Sequence, residues 1–477
     1  MTTLKSLKMS LPRRRQTEPN LYHMPRSLRA SYGHFPWYIQ IGIGLVSLLL
    51  AKNFSSSSML SGDFSSVAAT VVTPPFSVGE LLILLLKTFF LGLSINFVMQ
   101  HVCLPPDRVS TDALRENYFL PSPLSQFGHI TLSDDDELPL GVHYVEYEYF
   151  EELADDDEQQ QRPDPSTKAA DAGFGLDAVY MNHGFGASSL SWIPTIPKLA
   201  AALKVPIVLG HDAPGFGFTD RRKGIYTTAT SAKIGTTLLE RHDFQVRRMY
   251  DGTKDDNSPP TVLLVGHSMG CRTTLRMALA QPPNRTVHVV LVAPALGLRG
   301  NFMMPNEQRD KEDQPVAREY STDAFRFIQH GVVFALRRIV GQAHFWNVLL
   351  RLAWGNPNKL SNSDALRFQW PSIGLGWESG LLDFVHEQLF DEYNGHVDET
   401  DEGLMRLVLD RPNIQPVQVI WGTKDVVIPA SVVYGFCSKF PSLPPVIELK
   451  GCGHDPFEEQ VDTFCNTMAA VMKTRSC

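Results

Sequence analysis

From about residue 140 to the C-terminus, short apolar runs alternate with stretches whose apolar residues recur at helical spacing. The runs LGVHYVEYEYF (140–150), DAVYMN (177–182), VPIVLGH (205–211), TVLLV (261–265), VHVVLV (287–292), PVQVIWG (416–422) and PVIELKG (445–451) have the β-branched and aromatic content of strands. Between them, SLSWIPTIPKLAAAL (189–203), TATSAKIGTTLLERH (228–242), residues 269–280, a segment from Ser431 and a closing segment from Phe457 read as helices. Repeated strand and helix units predict an α/β fold, a mostly parallel central sheet with helices on both faces.

The alternation breaks between residues 299 and 410. This stretch opens with the charged NEQRDKEDQ, contains helix-like runs such as AFRFIQHGVVFALRRIV (324–340), and holds four of the seven tryptophans, Trp346, Trp354, Trp370 and Trp377. An insert of that length before the PVQVIWG strand predicts a helical lid, its aromatics forming mainly its own core and secondarily a wall for an acyl group.

The N-terminal part follows a different pattern. Residues 1–35 form a basic tail with Lys5, Lys8, Arg13, Arg14, Arg15, Arg26 and Arg29 against the single acid Glu18. Residues 36–52, PWYIQIGIGLVSLLLAK, are apolar with Trp37 and Tyr38 at the entry and Lys52 at the exit, which predicts a transmembrane helix. A Ser-rich linker, 53–75, precedes a second expected membrane helix over 76–101, interrupted by Lys87. A lysine at mid-bilayer costs about 2.5 to 3.5 kcal/mol, but Glu80, Lys87 and Ser94 share one helical stripe and can face a neighbouring helix. With the basic tail cytoplasmic, a hairpin returns the chain through a linker at 102–139 to a core at 140–298 and 411–477 that faces the cytosol. A basic, acid-poor leader also suits organelle import, the alternative reading. The sequons at Asn53 and Asn284 matter only if those segments reach a lumen.

Net charge −8 and a high apolar content point to a sizeable enzyme core rather than a nucleic-acid binder, which needs a clustered basic surface. Acidic blocks at 134–137 and 155–158 read as solvated loops. The six cysteines form no CxxC and no His-partnered spacing, so no disulfide framework, metal site or cofactor is expected; Cys271 reads as a buried packing residue.

The chemistry concentrates in a few turns. Gly266-His267-Ser268-Met269-Gly270 lies between an apolar strand and a helix, where two glycines allow the sharp turn that projects a serine hydroxyl. Ser268 then needs a base, an acid to orient it, and N–H donors for an oxyanion. Met269 at the helix N-terminus offers one donor and Phe185, in Asn182-His183-Gly184-Phe185-Gly186 after an earlier strand, offers the second. Asp425 follows the PVQVIWG strand in WGTKD, and His454 follows the next strand in GCGHDPFEE. Ser, Asp and His, each just past a strand end, make a charge-oriented general-base arrangement.

With NHGFG, HDAPGFGFTDR, GHSMG, WGTKD and GCGHDPFEE in order over 182–459, the chain resembles the α/β-hydrolase family. The resemblance implies nucleophile Ser268, acid Asp425, base His454, oxyanion donors Phe185 and Met269, and elbow glycines Gly266 and Gly270; the Asp212 turn it assigns to architecture. The long acidic stretch near 151–172 and the membrane-like N-terminus depart from the minimal family pattern. A serine nucleophile implies acyl chemistry, so the expected reaction is hydrolysis of a lipophilic or lipid-derived carboxylic ester. The alternatives are an acyltransferase or thioesterase of the same fold, or a slow-turnover ligand sensor. The expected partners are the ester substrate and a membrane, with no nucleic acid.

Overall fold

The computed structural model describes residues 122–132, 138–149, 174–222, 224–242, 259–298, 343–373, 376–386 and 400–475. The chain divides into two units, residues 24–108 and residues 1–23 with 109–477, and every described residue belongs to the second. The tail, both apolar runs, the Ser-rich linker, the acidic stretch at 151–172, NEQRDKEDQ and the 324–340 run therefore lie outside the described residues. Among those described, no helix is long and apolar enough to cross a membrane.

Eight strands form one sheet: β1 (Ser125–Ile130), β2 (Leu140–Glu148), β3 (Ala178–Asn182), β4 (Ile207–His211), β5 (Thr261–His267), β6 (Thr286–Val292), β7 (Gln418–Gly422) and β8 (Ile447–Leu449). Their order is β1-β2-β4-β3-β5-β6-β7-β8. β2 pairs antiparallel with β1 and β4, and every other pairing is parallel. β3, β4 and β7 are buried at every position, and β5 and β6 at all but the first. That is the signature of parallel strands covered on both faces. Asn182 aligns with Gly266, and Gly422 aligns with Leu449, so β3, β5, β7 and β8 release their following loops along the same edge of the sheet.

β1 corrects the reading of 102–139 as linker, because Ser125 to Ile130 pair in register with Val145 to Leu140. SQFGHI has one β-branched residue and a central glycine, and its pairing on the sheet edge rather than its own propensity makes it a strand.

The helices are α1 (Ile196–Leu203), α2 (Thr228–Glu240), α3 (Gly270–Ala280), α4 (Ala343–Ala353), α5 (Asn362–Gln369), α6 (Trp377–His386), α7 (Asp401–Leu409), α8 (Ala430–Cys437), the single turn α9 (Pro456–Glu459) and α10 (Val461–Arg475). α1 packs with α10 on one side, while α3 packs with α2 and α7 on the other. The 189–203 stretch splits into a 3-10 turn at Ser189–Trp192 and α1, because Pro194 and Pro197 lack the N–H that a continuous helix needs. α4 to α7 lie in the insertion between β6 and β7. Trp354, Trp370 and Trp377 are buried, and Trp346 packs its ring 5.8 Å from Phe368.

The 3-10 turn meets α9 through Trp192, fully buried with its ring 3.9 Å from that of Phe457. Truncation there leaves a cavity between two segments distant in the chain. Trp192→Ala is expected to lower the unfolding free energy by about 3–5 kcal/mol in urea titration, and a change below about 1 kcal/mol would contradict the packing described.

Candidate active site

Ser268 directly follows β5 and sits at φ 51°, in the left-handed region that a β-carbon disfavours. The turn is held by its own backbone: Ser268 N–H donates to Val292 O at 2.9 Å, and Ser268 O accepts from Ala295 N at 3.2 Å. Space explains the two glycines. A β-carbon on Gly266 would lie 2.5 Å from Thr274 Oγ1 and 2.7 Å from Cys271 Cα, and one on Gly270 would lie 2.4 Å from His183 O. The start of α3 therefore presses against the loop after β3. Cys271 is fully buried, burial pushes its thiol pKa well up, and its Sγ lies 3.2 Å from Gly266 O, which fits a packing role.

Asp425 lies in the turn after β7 and uses both carboxylate oxygens. Oδ1 accepts from Val427 N at 2.8 Å and Ile428 N at 2.9 Å, and Oδ2 accepts from His454 Nδ1 at 2.8 Å. Both residues are buried. Burial pulls the His454 imidazole down, but the hydrogen bond to Asp425 and the charges of Asp455 and Asp425 outweigh it and leave the pKa above its ordinary 6.5. The structure thus joins Asp425 to His454. Ser268 and His454 form no hydrogen bond with each other, although the loops that carry them are in contact through His267.

That contact was not singled out in the sequence. His267, the residue before Ser268, donates from Nε2 to His454 O at 3.0 Å, with Asp455 Oδ1 at 3.4 Å. Burial, with His454 nearby, holds the His267 pKa well below 6.5, so the ring is neutral. Burial raises Asp455 to about 6, the neighbouring His454 opposing and Asp425 and Glu459 adding to the shift. Ligand atoms of His267, His454 and Asp455 lie within 4.8 Å of one another. His454 Nδ1 and His267 Nε2 face protein acceptors, so the serine turn, His454, Asp425 and Asp455 form one proton network.

The loop after β3 reaches the serine turn through Gly184, where an added β-carbon would lie 2.8 Å from His267 Nδ1 and 3.0 Å from Ser268 Cβ. His183, also missed, fixes this loop. Its Nδ1–H donates to Gly184 O at 2.8 Å, so its Nε2 is the acceptor for Ala213 N–H at 2.9 Å. Because the peptide is planar and trans, holding the Gly184 carbonyl on one side turns the Phe185 N–H to the other. Among the described residues, neither the Phe185 N–H nor the Met269 N–H has a backbone acceptor. Phe185 is 53% exposed, with its ring packed 5.5 Å from that of Phe216.

Asp212 is a structural hub. Its Oδ1 accepts from Ser189 N at 2.7 Å and Ser189 Oγ at 2.6 Å, and its Oδ2 from Phe218 N and His143 Nδ1, both at 2.7 Å. Burial alone would raise this carboxyl, but His143 and the Ser189 hydrogen bond hold it well below the carboxylate range. Beside it a cavity is lined by Gly186, Phe216, Arg221, Trp346, Phe368 and Trp377, joining the β3 and β4 loops to the insertion.

Residues 177–461 match the family described as alpha/beta hydrolase fold. An uncharacterized protein of Mycobacterium tuberculosis is 26% identical over 307 residues, 62% of this chain and 75% of that protein. A serine hydrolase involved in carbazole degradation is similar at 16% identity, covering 73% of this chain and 99% of the other, with TM-score 0.43. A putative lipase from Acinetobacter baumannii is similar at 16% identity, 77% and 98% coverage and TM-score 0.43.

The proton network makes a distinct prediction for histidine titration followed by NMR. His454 is expected to titrate above 6.5 and to move down in Asp455→Asn, while His267 stays neutral through the same range and His211, lowered by burial, titrates at about 3. A His454 midpoint at or below 6.5 in the wild type would overturn this electrostatic picture.

Proposed function

The chain belongs to the α/β-hydrolase fold family, and on that premise we propose that it is a serine hydrolase that cleaves a lipophilic carboxylic ester through an acyl-enzyme. The observation that carries this reading is the buried Asp425–His454 pair, 2.8 Å apart, on loops that leave the sheet at the same edge as the strained Ser268. Ser268 Oγ attacks the ester carbonyl carbon while its proton passes to His454 Nε2, and Asp425 stabilises the resulting imidazolium. The Phe185 and Met269 N–H groups receive the negative charge that develops on the carbonyl oxygen. Collapse expels the alcohol, which takes its proton from His454, and water then releases the acid by the same steps in reverse roles.

The substrate side of the proposal rests on the cavity beside the β3 loop. Phe216, Trp346, Phe368 and Trp377 give it an apolar wall suited to an acyl chain. The apolar runs at 36–52 and 76–101 would hold the enzyme at a bilayer from which such esters are drawn.

Ser268→Ala and Asp425→Asn are each expected to lower kcat for a p-nitrophenyl acyl ester by about 10⁴-fold or more. Fluorophosphonate labelling should vanish in Ser268→Ala, and labelling that survives would sink the nucleophile assignment. Since His454 must be neutral to accept the proton and its pKa is raised, activity should fall as pH drops through a midpoint above 6.5. Trp346→Ala, which opens the cavity wall, should shift preference towards longer acyl chains; an unchanged chain-length profile would place the acyl group elsewhere. For topology, Asn284 is exposed and is expected to carry no oligosaccharide when expressed in eukaryotic cells, whereas its glycosylation would place the catalytic core in a lumen.

A further inference from the structure

We propose that Glu459 is a positioning residue for His454, and that through it the helical insertion forms one wall of the loop that carries the catalytic base. The assignment of His454 as base rests on the function proposed above; the contacts do not.

Glu459 ends the single turn α9, is buried, and directs its carboxylate away from its own helix. Oε2 accepts from Gly453 N at 2.7 Å and Gly355 N at 2.9 Å, and Oε1 accepts from Asn356 N at 2.7 Å. The first donor belongs to the residue before His454. The other two lie just past α4, in the insertion, about a hundred residues away. In the same place His454 N–H donates to Ala353 O at 2.7 Å, so the base's own peptide is bonded to the end of α4.

The two main chains meet without side chains between them. A β-carbon on Gly453 would lie 2.1 Å from Ala353 O, and one on Gly355 would lie 2.6 Å from Gly451 O. On its opposite side the base loop is bonded to the acid loop: Lys424 N–H donates to Cys452 O at 2.8 Å and Gly451 N–H to Thr423 Oγ1 at 2.9 Å. The His454 loop is therefore clamped between the Asp425 turn and the insertion. Three converging N–H donors call for an acceptor with two free oxygens, which a carboxylate supplies and an amide does not. A second tether runs beside it, where Arg367 of α5 lies 3.6 Å from the buried Glu458.

A simple structural glutamate would leave the chemistry of the folded fraction unchanged. A positioning glutamate would not, since displacing the Gly453–His454 peptide rotates the imidazole relative to Asp425. It follows that the insertion is not a detachable cover at this end, because moving α4 moves the base.

The test compares full-length wild type, Glu459→Gln and the exposed control Asp462→Asn. The readouts are the fluorophosphonate labelling rate of Ser268 against pH, normalised to folded protein, and the low-field proton resonance of His454 Nδ1–H. Glu459→Gln is expected to label about 10–100-fold more slowly, the range seen when a residue that orients a metal-bound histidine is replaced. Its acid limb should move down towards 6.5 and its low-field resonance should broaden or move upfield, with Asp462→Asn unchanged. A folded Glu459→Gln with wild-type rate, acid limb and resonance would overturn the proposal. Should Glu459→Gln not fold, hydrogen exchange in the wild type decides. Gly355, Asn356 and Gly453 amides are expected to open with one common free energy, and Gly355 and Asn356 exchanging freely while Gly453 stays protected would count against the clamp. Should the wild type never label at Ser268, the ester-hydrolase reading fails, and the resonance and exchange experiments still judge Glu459.

Discussion

Bare main chain meets main chain at Gly270 and again at Gly422, and the arrangement of the site depends on both contacts. A β-carbon at Gly270 would collide with His183 O at 2.4 Å, and one at Gly422 with Gly453 O at 2.1 Å. The first contact brings the serine turn against the loop that bears Phe185. The second brings the Asp425 turn against the loop that bears His454. Parallel strands place these loops on one edge of the sheet, but only to within a strand spacing. The last few ångströms come from the absence of side chains at these crossings.

Once the loops are in place, buried carboxylates divide the remaining work according to the donors each one meets. Asp212 collects a histidine, a hydroxyl and two N–H groups and stays ionised as a strut under the β3 and β4 loops. Asp425 spends one oxygen on its own turn and the other on His454. Asp455 has His267 and His454 as neighbours but also the like charges of Asp425 and Glu459, and burial leaves its pKa near neutrality, at about 6. Glu459 meets main-chain N–H groups and no carboxylate-bound histidine of its own, which suits it to holding backbone in place.

The strand and helix order, the insertion, and the placement of Ser268, Asp425 and His454 past strand ends were legible because each is a local pattern: an apolar run, then a turn rich in glycine. β1 was not, since SQFGHI becomes a strand through pairing with β2 rather than through its own composition. His183, His267, Asp455 and Glu459 were passed over for a related reason. Each sits inside a motif that was recognised, but its partner is another segment, as with His267 and His454, which are 187 residues apart. Spacing within a motif carries no information about such partners. The insertion's contribution was foreseen as a cover over the substrate; its contact with the His454 loop depends on Gly355 and Gly453, which in sequence look like ordinary loop glycines.

His183 holds the Phe185 loop through two opposite demands on one ring: Nδ1 must carry a proton for Gly184 O, and Nε2 must lack one to accept from Ala213. Burial keeps the ring neutral by lowering its pKa, so the lock is intact wherever His454 titrates. Acidification then acts in two stages of different kind. The first protonates His454 and then, at about 6, Asp455, and on the function proposed above it silences the base while the His183 contacts persist. The second, at lower pH, would place a proton on His183 Nε2, set two donors facing each other, and remove the Ala213 hydrogen bond. On that reading the molecule would have a proton-operated brake and, beneath it, a breaking point.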